Sequence, residues 1–299
     1  MPNSPPWKVH AALTAVSLCF GMHYYWAKVV VGALPQLAWP VVWAAIRIAC
    51  AAASLGALAL ALGRWRIPRS DLKRFAGLAL CGIVVNQTCF GTGMRYTSPA
   101  QASLINVTIP VATLGFGRLL GHETLTLRKV LGILLAMGGV FLLLLPRALG
   151  QEPAWIGNLL ILANALSFAL FLALSRPIMR RTDTLAGTIW LFLFGSVGMA
   201  LVAAPFLPGI PLRQAPPRTW MFGVAIVLMA TVLPYVLNAW ALRRAPASTV
   251  AAYIYLQPLV AFGSEALWMQ GHLTWALALP AAPILGGVAL GTLGGAAPE

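Results

Sequence analysis

The sequence predicts an all-α polytopic membrane protein with ten transmembrane helices in two inverted five-helix repeats. Three observations support this fold class. Of the 299 residues, 60% are hydrophobic and only 9% are charged, whereas soluble domains carry about 25% charged residues. Charges, prolines and glycines divide the chain into ten apolar stretches. The second half of the chain also repeats landmarks of the first half at one constant offset.

Each predicted helix is a mostly apolar stretch of about the 20 residues needed to cross the hydrocarbon core. Only short loops remain between the stretches, so the sequence leaves no room for a soluble domain. In chain order the stretches are 9–32, 39–62, 73–93, 98–120, 128–146, 155–177, 184–205, 219–241, 248–270 and 274–294.

The first stretch could also be a secretory signal peptide, because Lys8 is followed by the apolar run AALTAVSL. That run continues through the polar and aromatic segment SLCFGMHYYWAK without an A-x-A cleavage site. We therefore expect the first stretch to be a membrane helix.

The positive charges predict the orientation, because cytoplasmic loops are enriched in Lys and Arg. With the N-terminus inside, thirteen basic residues fall on the inner side and four on the outer side, which places both termini in the cytoplasm of a plasma (inner) membrane protein. Lys and Arg in cytoplasmic loops account for the net charge of +14. The charge therefore gives no reason to expect nucleic-acid binding. The outer residues are Arg95, Arg147, Arg213 and Arg218; the inner ones are Lys8, Arg64, Arg66, Arg69, Lys73, Arg74, Arg128, Lys129, Arg176, Arg180, Arg181, Arg243 and Arg244.

An internal repeat with an offset of 148 residues divides the chain into two halves, 1–148 and 149–299. Each half holds five predicted helices, and an odd number makes the second half enter the membrane from the opposite side. Inverted repeats of this kind are typical of secondary transporters. The matched landmarks are Trp7 with Trp155, Lys28 with Arg176, Arg95 with Arg243, Pro110 with Pro258, and Gly-Gly-Val at 138–140 with the same triplet at 286–288.

Several segments resemble the EamA family of the drug/metabolite transporter superfamily. They are FGMHYYWAK, WAAIRI, and the run from YTSPAQASLINVTIP to GHETLTLRKVLGILLAMGGVFLL in the first half, with ALRRAPASTVAAYIYLQPLVAF and ILGGVAL in the second. The resemblance implies ten helices around a central cavity and transport of small metabolites, often efflux of amino acids or related compounds.

The sequence departs from the family pattern at two places. The family's Gly-Glu after the fourth helix is Gly121-His122-Glu123, with one residue interposed. In the second half the corresponding stretch reads Met269-Gln270-Gly271-His272 and lacks the glutamate.

Charged side chains within membrane helices are costly and mark candidate sites. Lys28, Arg47 and Glu265 all lie in the outer half of their predicted helices. They predict a site where a cation meets a substrate carboxylate or a proton-linked acid. The alternatives are that Lys28 extends to the outer interface and that Arg47 caps backbone carbonyls or pairs with Glu265.

Pro110 and Pro258 lie near the middle of the fourth and ninth predicted helices, where each proline frees a carbonyl and kinks the helix. Polar residues precede both, including Asn106 before the first and Tyr253 and Gln257 before the second. The pattern predicts a midplane binding site built from two kinked helices. The alternative is a kink that only shapes packing.

Further polar and aromatic residues in the predicted helices are candidates for substrate binding. His23 is also a candidate proton carrier, although a buried histidine is more often only hydrogen-bonded, and a membrane asparagine can simply join two helices. Successive residues of a helix point about 100° apart, so not all of 23–26 can face one cavity. The candidates are His23, Tyr24 and Trp26 in the first helix, Asn86 in the third, Asn164 in the sixth, and Tyr235 and Asn238 in the eighth.

The function predicted from the sequence is secondary-active transport of small polar or amphipathic metabolites, with export of amino acids the leading case. The sequence contains no Walker A motif, so we do not expect ATP to drive transport directly. The alternatives are a translocator of lipids or lipophilic compounds, a non-transporting membrane protein, and an intramembrane enzyme. The enzyme is disfavoured because HExxH, GxSxG and CxxC motifs are absent, so no cofactor or metal is expected. The expected partners are a small-molecule substrate, membrane lipids and, as an open alternative, a coupled proton.

Overall fold

The computed structural model describes residues 6–97, 99–149, 154–261, 263 and 278–292. Across these residues the regular structure is helical and contains no β-strand. This agrees with a membrane environment, where a helix satisfies its own backbone hydrogen bonds without water. The predicted all-α membrane class is confirmed.

Helical segments occupy each of the ten predicted stretches. In the first half they are α1 (Pro6–Val31), α2 (Trp39–Ala61), α3 (Arg69–Tyr96), α4 (Pro99–Asn106 and Thr108–Leu119) and α5 (Leu127–Leu149). In the second half they are α6 (Trp155–Arg181), α7 (Thr184–Gly209), α8 (Pro217–Leu242), α9 (Ala247–Ala261) and α10 (Ala278–Thr292).

Seven of these segments, α2 to α8, are long and apolar enough to cross a membrane on their described residues. The described parts of α9 and α10 are shorter apolar helices. Helix α1 is continuous over 26 residues, and its sequence includes polar residues such as His10, Ser17 and His23. The chain is therefore a multi-pass membrane protein, while ten spans remain a prediction.

The two halves interleave, because helices of one half pack mainly against helices of the other. The main cross-half pairs are α1 with α8, α3 with α6, α2 with α7, and α5 with α10. In the α5–α10 seam the backbones touch: a Cβ added at Gly132 would lie 2.5 Å from Gly291 N. Glycines permit this close approach, which increases packing between membrane helices.

Each half carries a π-helical turn at the same place in its third helix, a detail that the apolar pattern does not predict. The turns are Leu80–Val85 in α3 and Leu228–Val232 in α8, and their first residues are 148 positions apart. A π turn leaves backbone carbonyls without their usual partners. Side chains bond two of these: Ser167 Oγ donates to Cys81 O at 2.6 Å and Tyr235 Oη to Gly82 O at 3.3 Å.

The connections α2–α3, α4–α5, α6–α7 and α8–α9 meet at one end of the bundle, here called the basic end. Ion pairs between the halves join them, with Arg64 Nη2 at 2.5 Å from Asp183 Oδ2 and Arg181 Nη2 at 2.5 Å from Asp71 Oδ1. At the opposite end, Arg95 donates to Pro35 O at 2.6 Å. Arg64 and Arg181, both predicted to lie on the inner side, thus lie at one end and Arg95 at the other, while the cytoplasmic location of the basic end stays a prediction.

Candidate functional site

A cavity of about 100 Å³ lies between the two halves and is lined mainly by polar and aromatic side chains. We call it the central cavity. Seven helices contribute to its polar lining: α1, α2, α3, α4, α6, α8 and α9. The polar residues are His23, Arg47, Asn86, Gln87, Asn106, Asn164, Thr231, Tyr235 and Gln257; the others are Phe20, Phe90, Ile109, Phe168, Ala230 and Ile254.

The central cavity lies well inside the bundle. Arg47 is eight residues from the start of α2, or about 12 Å at 1.5 Å per residue. Gln257 is ten residues from the start of α9, which begins at the basic end, or about 15 Å. These depths place the cavity near the middle of the helices, where few polar groups are tolerated without a function.

Arg47 supplies the positive charge of the cavity. It is 6% exposed, and its guanidinium donates to Gln87 Oε1 and lies with Nη1 3.3 Å from His23 Nε2. Its buried Nε has no hydrogen-bond partner among the described residues. A guanidinium has five N–H donors in a planar fork, so part of its donor capacity is unused.

No acidic side chain that the structure describes neutralises Arg47. The three described acidic residues are Asp71, Glu123 and Asp183, and each pairs with another basic residue at the basic end. The predicted alternative partner Glu265 lies outside the described residues. Because a buried charge needs a counter-charge, the cavity is suited to an anionic group.

A chain of amide side chains holds Gln87 beside Arg47. Gln87 Nε2 donates to Asn86 Oδ1 at 2.8 Å. Asn86 and Asn164 each donate to the other's backbone carbonyl, at 3.3 and 3.0 Å, and so join α3 to α6. Asn86 and Asn164 therefore join two helices, which was the alternative interpretation of membrane asparagines, and they also line the cavity.

Aromatic rings form the apolar part of the lining. Phe20, Phe90 and Phe168 contribute from α1, α3 and α6. The His23 and Phe90 rings stack with centroids 6.5 Å apart and planes inclined by 26°. A ligand with one charged and one apolar part would find complementary groups on different sides of the cavity.

Residues 148 positions apart line the same cavity. Four such pairs occur: Phe20 with Phe168, Gln87 with Tyr235, Asn106 with Ile254, and Ile109 with Gln257. The position matching Arg47 is Gly195, which has no side chain and packs against Ile83. The two halves therefore shape the cavity together, but the arginine comes from one half alone.

Helix irregularities precede both mid-helix prolines. Helix α4 is interrupted at Val107, before Pro110, and α9 has a 3₁₀ turn at Tyr253–Leu256, before Pro258. Proline cannot donate to the carbonyl four residues earlier, which accounts for both positions. Each irregular turn contributes cavity residues, including Asn106 and Ile254.

The structure brings together seven of the predicted binding residues. The seven in the lining are His23, Arg47, Asn86, Asn106, Asn164, Tyr235 and Gln257. The lining does not include Trp26, Asn238 or Tyr253. The side chains of Tyr24 and Lys28 lie outside the described residues, as does Glu265.

Separate contacts account for the predicted residues outside the lining. Tyr253 is tied to α1 instead: its hydroxyl lies 2.6 Å from His10 Nδ1, and its carbonyl accepts from Ser17 Oγ at 2.8 Å. Trp26 packs against the apolar core. Asn238, three residues beyond Tyr235, is 8% exposed and lies outside the cavity.

Gln87 and the three phenylalanines were missed by sequence reasoning. Gln87 follows Asn86 directly, and successive residues of a helix point about 100° apart, so helical spacing gives no reason to place both in one site. Phenylalanines in an apolar helix carry no distinguishing signal, although the 148-residue offset between Phe20 and Phe168 could have identified that pair.

Comparisons with known proteins agree with this arrangement. A model of the EamA-like transporter family matches residues 7–145 and 155–293. The chain is similar to the uncharacterized inner membrane transporter YedA of Escherichia coli K12, with 26% identity over 257 residues that cover 84% of this chain and 79% of YedA. It is also similar to the uncharacterized transporter YyaM of Bacillus subtilis, with 25% identity over 65% of this chain and 66%, just under two thirds, of YyaM.

A solved crystal structure with the same fold is among those similar to this chain. It is 22% identical in sequence and superposes with a TM-score of 0.79, covering 97% of this chain and 98% of the other. At this identity the likeness extends to the fold alone.

Proposed function

Because the chain belongs to the EamA-like transporter family, we propose that it is a secondary-active exporter of small metabolites carrying an anionic group, with amino acids and related compounds as the leading class. The names of YedA and YyaM as transporters support the transport activity. The substrate class rests on the central cavity.

Arg47 is the observation that carries this proposal. It is buried in the central cavity, lacks a carboxylate partner among the described residues, and keeps Nε unbonded. A substrate carboxylate would complete its hydrogen bonds in the forked geometry that arginine favours. The stacked His23 and Phe90 rings and the other phenylalanines would receive the apolar part of the same molecule.

The position of the central cavity between the halves supports an alternating-access mechanism around it. Both halves supply matched lining residues, as expected when two inverted repeats move about a fixed midplane site. The excess of Lys and Arg at the basic end supports a cytoplasmic location for that end and for both termini. Export then requires the cavity to load from the basic end and to release its substrate at the opposite end.

A ligand panel tests the substrate class directly. The purified protein is heated with amino acids, their derivatives, amines and nucleosides, because a ligand that binds the folded state raises its melting temperature. At a concentration of 100 times Kd the stabilisation is about 2.7 kcal/mol. We expect carboxylate-bearing compounds to raise the melting temperature and the matched amines lacking the carboxylate not to do so.

Variants locate the binding. Arg47→Gln and Gln257→Ala should abolish the shift while remaining folded, and Arg47→Lys should weaken it because lysine lacks the planar fork. Arg213→Gln, at an exposed arginine far from the cavity, is the matched control and should bind normally. Binding unaffected by Arg47→Gln would overturn the assignment. Flux of the bound compound in liposomes then separates a transporter from a protein that only binds.

A further inference from the structure

Glu123 is buried at the basic end, away from the central cavity, and the proposed transport site does not use it. Its side chain is 2% exposed. It follows Gly121, whose φ of +70° lies in the left-handed region that glycine adopts readily. The turn that Gly121 makes directs the α4–α5 connection back over the bundle, where Glu123 lies beside the first residues of α9.

Three donors surround the Glu123 carboxylate. Ser248 N donates to Oε1 at 2.9 Å, and the Ser248 hydroxyl donates to Oε2. Lys129 Nζ lies 2.9 Å from Oε2 and is itself only 13% exposed. We call Glu123, Lys129 and Ser248 the basic-end latch.

The basic-end latch joins the two halves of the chain. Glu123 and Lys129 flank the α4–α5 turn of the first half, while Ser248 is the second residue of α9 in the other half. A carboxylate at the start of a helix is favoured by the N–H groups that have no partner there and by the helix dipole. The interposed residue, His122, anchors the same turn on α6, with Nδ1 3.2 Å from Ala173 O.

The sequence carries no counterpart of the latch at the matching positions of the other repeat. The positions 148 residues after Glu123 and Lys129 are Gly271 and Leu277, and the position 148 residues before Ser248 is Ala100. Inverted repeats with identical side chains would hold both ends closed equally. In this chain the residues that form the latch occur at Glu123, Lys129 and Ser248, and different residues occur at the positions related to these by the repeat.

We propose that the basic-end latch sets the resting conformation: it holds the empty protein closed at the basic end, and it must break before that end can open. The role of the latch in transport rests on the proposed function, whereas its effect on conformation does not. Charge-assisted hydrogen bonds in a buried setting are strong and directional. Breaking all of them at once gives two discrete states rather than a gradual widening.

In the latch both charged side chains are largely buried, whereas every other described ion pair at the basic end has an exposed arginine. The exposed fractions are 52% for Arg64, 56% for Arg74 and 52% for Arg181, so water can replace the arginine in each of those pairs. Next to the latch, the Tyr255 hydroxyl is fully buried and has no partner among the described residues. Tyr255 lines a small pocket with Lys129 and Ser248, so the arrangement with the latch formed leaves one polar group unsatisfied there.

Glu123→Gln breaks the latch at constant side-chain volume. The amide has one acceptor oxygen and one NH₂ group. In either orientation the NH₂ group faces a donor, which is the Ser248 backbone N–H in one case and the Lys129 ammonium in the other. We therefore expect the ratio of open to closed protein to rise about tenfold.

Distances between paired spin labels measure that ratio without a substrate. Leu125, on the α4–α5 turn, and Arg244, before α9, are exposed positions for the labels after the four native cysteines have been replaced. The unmodified latch should give one short distance population, and Glu123→Gln should add a longer one. An unchanged distribution in folded Glu123→Gln protein would overturn the proposal.

Two further variants show whether a change in the distances comes from loss of the latch, even if Glu123→Gln does not fold. Lys129→Gln weakens the same carboxylate contact from the other side and should also add the longer population. Asp183→Asn removes a charge from the same end at an exposed ion pair and should leave the distribution unchanged. If Asp183→Asn shifts the distances as strongly as Glu123→Gln, the effect is one of net charge and the latch is excluded. Loss of ligand binding in Arg47→Gln is independent of these distances.

Discussion

Arg47 is held by two neighbours in the cavity lining. Gln87 and His23 contact its terminal nitrogens, while the buried Nε has no hydrogen-bond partner among the described residues. Such an arrangement fixes the guanidinium before any ligand arrives, which reduces the entropy lost on binding. A substitution of similar size beside Arg47 can therefore change the charge of the cavity without changing its volume.

Gln87→Glu should remove anion binding. The new carboxylate would lie beside the Arg47 guanidinium and compete with the substrate for it. We expect the affinity for the carboxylate ligand to fall at least about tenfold, or about 1.4 kcal/mol, while the folded protein is retained. Ligand-induced melting shifts measure the change, and Gln87→Met serves as a control that removes the amide without adding charge. Wild-type affinity in Gln87→Glu would contradict an anion site at Arg47.

Asp183, at the basic end, has an environment that links stability to pH. Burial raises the pKa of Asp183, but hydrogen bonds from Arg64 and from the backbone N–H groups of Ala186 and Leu185 outweigh burial and lower the pKa below its ordinary value. A carboxyl group with a lower pKa in the folded state adds stability above its unfolded pKa of about 3.9. That stability is lost as the pH falls through the folded pKa.

Asp183→Asn should therefore destabilise the protein slightly at neutral pH and less in acid. Asparagine can still cap α7, so the loss is that of a partly exposed ion pair, about 0.5 kcal/mol at pH 7. Melting temperatures of both proteins at pH 7 and pH 4 give the comparison. A difference that grows toward pH 4 would mean that the ion pair is not its source.

At the scale of helices, the apolar pattern predicts where segments lie but not how they deviate from regularity. All ten predicted stretches contain helix, because length and hydropathy decide this. In the π turn that begins at Leu80, side chains of α6 and α8 bond the freed carbonyls. These partners lie on other helices, so the α3 stretch of sequence alone does not reveal them.

The repeated Gly-Gly-Val triplets allow two neighbouring glycines to be compared by alanine substitution. In both, the second glycine is packed and the first is not: a Cβ at Gly287 would lie 2.4 Å from Ala136 N, whereas one at Gly286 would lie 3.9 Å from its nearest neighbour. We expect Gly287→Ala to destabilise the protein by about 1–3 kcal/mol, as overpacking does. Gly286→Ala should be close to neutral.

The same contrast occurs in the first half. A Cβ at Gly139 would lie 2.7 Å from Ile284 Cγ1, and one at Gly138 would meet nothing within 4 Å. Melting temperatures of the four alanine variants in one detergent provide the test. If the first and second glycines of a triplet were equally sensitive, helix propensity rather than the α5–α10 contact would be responsible.

At the scale of the whole molecule, similarity in shape coexists with asymmetry in charge. Residues related by the 148-residue offset line one cavity, yet the arginine and the basic-end carboxylate each come from the first half alone. The sequence alone identified the offset, Arg47 and the missing second glutamate. It could not show that Glu123 contacts Ser248, because residues 125 positions apart are brought together only by the fold.

The α5–α10 seam has a consequence for how the protein is made. Gly132 and Gly287 lie against each other in the finished protein but are 155 residues apart in the chain. At about 5–20 residues per second, a ribosome needs about 8–30 s to synthesise that interval. During this time the glycine face of α5 lacks the α10 surface that covers it in the finished protein. The order of synthesis thus leaves this face uncovered until α10 has been made.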